Sequence, residues 1–240
     1  MLHPLGTDEL GRDVLLRLAA GGRVSLTIGI AAALAAAALG TLVGLVAGYL
    51  GGWTDRVLMR LTDAVIALPL LPLLIVLAAL DLKKLGVPAA LAGSDDISLI
   101  RIVALAVLVG WTTAARLVRG AALVARSRDF VRAAQSLGAG VPHILWRHIL
   151  PNVMAPLVVA TTLSVGDIIL LESVLSFLGL GVQPPLASWG SMLSNAEELI
   201  TSSPLLAIYP GAMIFLTVIA CNLLGDALLQ RFDPRDSASV

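Results

Sequence analysis

The stretch DFVRAAQSLGAGVPHILWRHILPN, Asp129 to Asn152, is a polar and basic interruption in an otherwise apolar chain. It is the one long segment suited to stand in water and be held by another protein. Phe130 to Leu137 consists of good helix formers, with Phe130, Ala133, Ala134 and Leu137 on one face. Gly138 and Gly140 permit the positive φ that ends a helix. Pro142 suits the first turn of a second helix, His143 to Leu150, and Pro151 marks where a membrane helix takes over. Two short helices joined by a glycine elbow at the base of two membrane spans make a rigid knob for a partner's groove. On these residues alone, an ordinary basic loop is an equal alternative.

The rest of the chain sets that interruption in context. Of 240 residues, 58% are hydrophobic and only 13% charged, with mean hydropathy +0.95. A surface so poor in charge would aggregate in water, so the membrane is the expected solvent. Sixteen basic residues balance sixteen acidic ones, which leaves no basic field to argue for nucleic acid. Cys221 is alone, so no disulfide within the chain is possible. Met1 to Arg23 is mixed and charged and lacks the pattern of a cleavable signal peptide, so insertion is expected to rely on the apolar spans themselves.

Hydropathy and length predict five spans across a bilayer core of about 30 Å, at 24–49, 57–80, 97–117, 153–171 and 205–229. They make up a membrane domain, 24–229, between an outer segment, 1–23, and a cytoplasmic tail, 230–240. Residues 118–152 form the cytoplasmic loop and 172–204 an outer loop. Gly40, Gly44, Gly48 and Gly52 recur every four residues, which lets another helix approach closely or simply fills a crowded bundle. Asp55 is well placed to cap a helix, and Arg60 and Asp63 share a face three residues apart. Pro69 and Pro72 remove backbone donors and should kink the second span; broken helices often line transport paths, although a packing kink serves as well. Arg101 lies close enough to the start of its span to snorkel outward.

Asp167 and Glu172 are ionisable residues at membrane depth and therefore candidates for the translocation path. Five residues apart, they stand about 140° from one another on a helix and do not form one carboxylate pair. The bland expectation for Glu172 is the aqueous end of its span. Orientation follows from the positive charges. With the Arg116 to Asn152 loop in the cytoplasm, that side holds Arg56, Arg60, Arg116, Arg119, Arg126, Arg128, Arg132, Arg147, Arg231 and Arg235. The other side holds only Arg12, Arg17, Arg23, Lys83, Lys84 and Arg101.

The chain carries no phosphate cradle of the GxxxxGK[ST] type; its only lysines are Lys83 and Lys84, and the Gly179 and Gly181 pair has no following phosphate-binding helix signal. His3, His143 and His148 form no HExxH arrangement, so no metal site is expected.

Ala133, Ala134, Gly138, Leu150 and Pro151 reproduce the spacing of the EAA loop in permease subunits of bacterial ABC importers. Further segments resemble the dipeptide, oligopeptide and nickel permease branch of that family. They are HPLGTDELGRDVLLRL from His3, GYLGGWTDRVLMRLTD from Gly48, LESVLSFLGLGVQPPLASWGSML from Leu171 and NLLGDALLQRFDPR from Asn222. The resemblance implies an all-α polytopic transmembrane helix bundle with the type I ABC importer permease fold and a cytoplasmic coupling helix. It implies that Arg132, Ala133, Ala134, Gly138, Leu150 and Pro151 couple to the ATPase; Pro69, Pro72, Asp167 and Glu172 are path candidates on the residue grounds given above. Arg132 stands where the family has Glu and His148 where it has Ile, which shifts weight from any single charge to the shape around Ala133, Ala134 and Gly138.

The implied role is a non-catalytic subunit in a bacterial or archaeal plasma membrane, passing di- or oligopeptides. Its implied partners are a second permease subunit, two cytoplasmic ATPase subunits and an extracytoplasmic solute-binding protein, with no cofactor in this chain and ATP and Mg bound by the partners. This branch usually has a further helix before the HPLGTD segment, so either a five-span version or a lost start is expected. The competing readings are a proton-coupled secondary carrier using Asp167 or Glu172, a permease for nickel or another small solute, and a purely structural membrane subunit.

Overall fold

The computed structural model describes residues 3–80, 95–194, 196 and 201–232. Helix α1 spans Val14–Leu50, α2 Gly52–Ala67, α3 Leu70–Ala79 and α4 Asp95–Ala125. The short α5, Asp129–Ser136, and α6, Val141–Ile144, precede a π-helical turn, Leu145–Ile149. Then come α7, Leu150–Phe177, a single 3₁₀ turn at Ser191–Leu193, and α8, Leu205–Phe232. Among the described residues, four helical stretches are long and apolar enough to cross a membrane, and the α2–α3 pair makes a fifth if it counts as one broken span.

The break has a direct cause. Pro69 disfavours the helical region for the residue before it, and Leu68 accordingly sits extended at φ −74° and ψ 137°. The two helices meet there at 84°. Pro72 falls in the first turn of α3, where its missing N–H leaves no bond unmade.

The helices differ in their ends from the expected spans because helix and apolar stretch are different things. The first helix begins at Val14, inside the segment expected to be an outer extension, and α4 runs eight residues past the expected end of its span, 117, to Ala125. Arg119 lies within that continuation and Arg116 just before it; both are paired in the fold, so their charge does not end the helix. The helix of the expected fourth span extends to Phe177, so the loop after it starts at Leu178. Of the loop expected from Asp81 to Ser98, residues 81–94 lie outside the described residues, and the last four, from Asp95, open α4 instead.

Contacts divide the chain into two compact units, each assembled from three stretches. One comprises Met1–Ala32, Leu71–Ala106 and Val165–Cys221; the other comprises Ala33–Leu70, Val107–Ser164 and Asn222–Val240. In the first unit, Val14, Leu18, Ile169, Trp189 and Ile214 form one buried cluster and Ile28, Ile102 and Val182 another. In the second, Leu45, Val118, Ala122, Val131, Ala134, Ile144, Ile149 and Val153 share a core.

Within that second unit the small residues of α1 have a specific use. A Cβ at Gly44 would lie 2.6 Å from the Ala115 carbonyl oxygen and 2.8 Å from the Val118 Cβ, and one at Gly48 2.7 Å from the Ala122 Cβ. Gly40 abuts the Trp111 carbonyl and Ala114 in the same way. Three glycines thus let the backbones of α1 and α4 touch, as small-residue seams do in membranes. Gly52 is not part of this seam: at φ +58°, with nothing near its missing side chain, it opens α2 after the turn at Gly51.

Candidate functional site

Helix α5 buries two side chains, Val131 and Ala134, in the core of its unit, and turns the others outward. Phe130 is 42% exposed and Leu137 88% exposed; Arg132 and Ala133 are also exposed. Of the four residues expected on one apolar face, only Ala134 is therefore buried. The signal for the true inner face is the i, i+3 pair Val131 and Ala134, the spacing at which helical residues share a side.

The helix closes as its glycine requires. Gly138 has φ +82°; its N–H donates to the Gln135 carbonyl at 2.9 Å and that of Ala139 to the Ala134 carbonyl at 3.0 Å, the paired bonds of a Schellman cap. Gly140 differs from expectation: at φ −71° it is extended and precedes α6 as its N-cap. The same cap recurs in the other unit after α7, where Gly179 (φ +75°) donates to Ser176 and Leu180 to Leu175. The first glycine of SLGAG and of FLGLG therefore ends a helix.

The second helix is not a separate piece. It continues from Val141 through the π turn into α7, ending at Phe177, and Pro151 lies exposed within the continuous helix. Proline inside a helix lacks a donor and crowds the carbonyl four residues back, here that of Arg147. The wider π turn at Leu145–Ile149, with the Leu150 N–H reaching back to the Leu145 carbonyl, accommodates it. Leu150 is half-buried against the core. Trp146 is 61% exposed on this turn, and the rings of His143 and His148 meet edge-on with centroids 5.6 Å apart.

Three further contacts, which spacing did not reveal, brace this region. Gln135 Nε2 donates to the Tyr49 hydroxyl at 3.2 Å, and Arg126 Nη1 to the carbonyls of Gly48 and Tyr49, each at 3.3 Å. The Arg126 bonds satisfy carbonyls that α1 leaves open at its end. On α4, Arg119 grips Asp55 through Nε and Nη2, and Arg116 Nη2 donates to Asp63 at 2.6 Å. Asp55 thus makes no cap, since the N-cap of α2 is Gly51, and Asp63 turns to α4. A pair spaced 53 or 64 residues apart carries no local sequence signal.

The two carboxylates of α7 part company. Glu172 is only 1% exposed, not at the aqueous end of its span. Ser25 donates to its Oε2 at 3.1 Å and Ser176 to its Oε1 at 2.6 Å. Those serines also accept backbone bonds, Ser25 from Trp189 at 3.2 Å and Ser176 from Val182 at 3.0 Å, while the Trp189 indole donates to the Leu18 carbonyl at 3.0 Å. Buried, satisfied polar groups of this kind fix the loop that follows α7 on α1 and α7. Gly181 and Gly190 permit it, each lying against the α7 backbone, at Ser176 and Ser173, where a side chain would collide. Asp167, by contrast, is exposed, as are Pro69 and Pro72.

Before α1, Asp8 gathers Arg12 at 2.7 Å and Arg17 at 3.4 Å, and Asp13 takes the His3 ring at 2.9 Å. Burial pushes the Asp8 carboxyl up, but bonds from Arg12 and the Leu10 amide more than offset it and hold the group below its ordinary 3.8. The His3 hydrogen bond, with the Leu16 amide, likewise lowers Asp13. This segment and the loop that follows α7 line a cavity of about 410 Å³ that includes Arg12, Arg17, Gln183 and Met192.

The model of the family described as "Binding-protein-dependent transport system inner membrane component" matches residues 40–237. The chain is 41% identical over 233 residues to the glutathione transport system permease protein GsiD of Pectobacterium atrosepticum, covering 97% of this chain and 73% of that protein. It is 38% identical over 233 residues to the oligopeptide transport system permease protein OppC of Bacillus subtilis, covering 97% and 72%. The dipeptide transport system permease protein DppC of Alkalihalophilus pseudofirmus gives the same identity and coverage. In fold, the chain is similar to a solved amino acid ABC transporter described with histidines, at TM-score 0.65 and 15% identity over 91% of this chain and 95% of that one. With its long apolar helices and a family match over most of its length, the chain belongs to the inner-membrane components of binding-protein-dependent transport systems, as a multi-pass permease subunit of the plasma membrane.

Proposed function

We propose that this chain forms half of a path for di- or oligopeptides through an ATP-driven importer, with Asp129 to Asn152 as the seat of a separate ATPase. The observation that carries the reading is the outward surface of that segment. Phe130, Leu137, Val141 and Trp146 are exposed there among arginines, on the side that the positive charges assign to the cytoplasm. Large apolar side chains facing water mark a protein contact. Peptide cargo is supported by relatives named for glutathione, oligopeptide and dipeptide transport.

On this reading a second permease subunit completes the path, and an extracytoplasmic binding protein delivers the ligand. Two ATPase subunits bind ATP and Mg, and their closure moves the coupling segments. Arg132, Ala133, Ala134, Gly138, Leu150 and Pro151 supply or support the docking shape, and Pro69, Pro72 and Asp167 border the path; Glu172 serves it indirectly, by holding the outer loop.

The test places a cysteine at the exposed Ala133 and crosslinks it to the ATPase in the assembled complex. Crosslinking should change with nucleotide, and its absence would overturn the docking role. Reconstituted complex should take up labelled peptide only with ATP and loaded binding protein. Uptake that survives loss of ATPase activity but collapses with an uncoupler would favour a proton-coupled carrier, and a binding protein that retains nickel instead of peptide would correct the cargo.

A further inference from the structure

Helix α7 places its two carboxylates in opposite surroundings. Glu172 is enclosed and bonded to serines, whereas Asp167 is exposed and, among the described residues, has no hydrogen-bond or ion-pair partner. The residues beside Asp167 in sequence, Ile168 and Ile169, are buried, so the helix is firmly seated and Asp167 stands on its open side. Leu170 and Val174 continue that side as exposed apolar neighbours, three and seven residues on. Asp167 lies ten residues before the outer end of α7 at Phe177, which is about 15 Å along the axis and half of a core about 30 Å thick.

A carboxylate at that depth, between leucine and valine, does not face hydrocarbon unaided; it faces a water-filled cavity or a cation. In its own unit, Arg12 and Arg17 are engaged with Asp8, and among the described residues neither Arg23 nor Arg101, whose Nη2 is buried without a partner, makes an ion pair with Asp167. We propose that Asp167 is a cation-recognising residue of the path, which takes the ammonium group of a peptide in transit. The proposal rests on the reading of the chain as half of a peptide path. Apolar walls beside a single carboxylate favour a charge-assisted bond to an ammonium and raise the local concentration of cations, while anions are repelled. One such bond orients the peptide, and a single weakly anchored group can still let go.

The experiment uses the assembled importer carrying Leu170→Cys in a Cys221→Ser background. Cationic and anionic thiosulfonate reagents are compared, with rates normalised to a free thiol. The cationic reagent should react roughly tenfold faster, and Asp167→Asn should bring the two close to parity. In the importer without the introduced cysteine, Asp167→Asn should lower uptake of a free-amino tripeptide, and Asp167→Glu should restore it. Equal reagent preference with and without the carboxylate overturns the proposal, as does failure of the introduced cysteine to react in any nucleotide state. Loss of subunit co-purification in both Asp167→Asn and Asp167→Glu overturns it too, by making the residue a helix contact. Should the unaltered complex import no peptide while the reagent preference persists, the peptide reading fails and the cation site stands.

Discussion

Replacing Glu172 with Ala would strand the hydroxyls of Ser25 and Ser176 inside a closed core, each already committed to a loop amide. We expect a cost of about 1–3 kcal/mol, felt mostly as release of the outer loop; Glu172→Gln, which keeps an acceptor, should lose less. Faster hydrogen exchange at the Val182 and Trp189 amides would report it, and unchanged exchange in the Ala variant would refute it. Asp8 and Asp13 give a pH prediction. Both carboxyls are held below the ordinary 3.8. Their contribution is therefore complete above that value and is lost as pH falls below it through the lowered values. The segment before α1 should hold firm at neutral pH and loosen only below about pH 4, which exchange at the Leu10 and Arg12 amides can follow. At this scale the sequence was least legible. Five-residue spacing placed Asp167 and Glu172 on different sides of a helix, but nothing local told which side was inside, because the donors to Glu172 come in part from Ser25, 147 residues away.

Among the elements, the π turn before Pro151 makes a prediction about direction. It holds one more residue per hydrogen-bonded ring than an α-helix, so deleting a single residue between Leu145 and Ile149 would restore regular helix and rotate everything before it by about 100° around the axis of α7. The span should still insert, while the crosslink from residue 133 to the ATPase should vanish; a retained crosslink would show that the turn does not aim the segment. Gly138→Val should act differently, since φ +82° is strained for a branched residue. A penalty of about 1–2 kcal/mol is expected in the cap, with the docking face softened but not turned. The proline break at Pro69 and the glycine cap at Gly138 were legible because each follows from one residue's own backbone limits. The merging of α6 into α7 was not, since Pro151 reads locally as a boundary and only the π turn reconciles it with a continuous helix.

For the whole molecule, the all-α architecture and its long apolar helices were readable from length and hydropathy, which report on the solvent directly. The helix ends were not, because α4 continues past its expected span with Arg119 held on the distant Asp55. The charge asymmetry predicts orientation. A cysteine at Ser127 should react with a membrane-impermeant reagent only after the cytoplasmic face is opened, and one at Gln183 in intact spheroplasts; the reverse pattern would invert the topology. The division of the chain into two interlaced units has a bearing on how it is made. Each unit draws on early, middle and late stretches of sequence, so neither can close while the ribosome is still holding back α8. Earlier helices must wait in the bilayer with their packing faces open, and a premature stop codon anywhere before Leu205 would leave both halves unfinished, a substrate for membrane proteases.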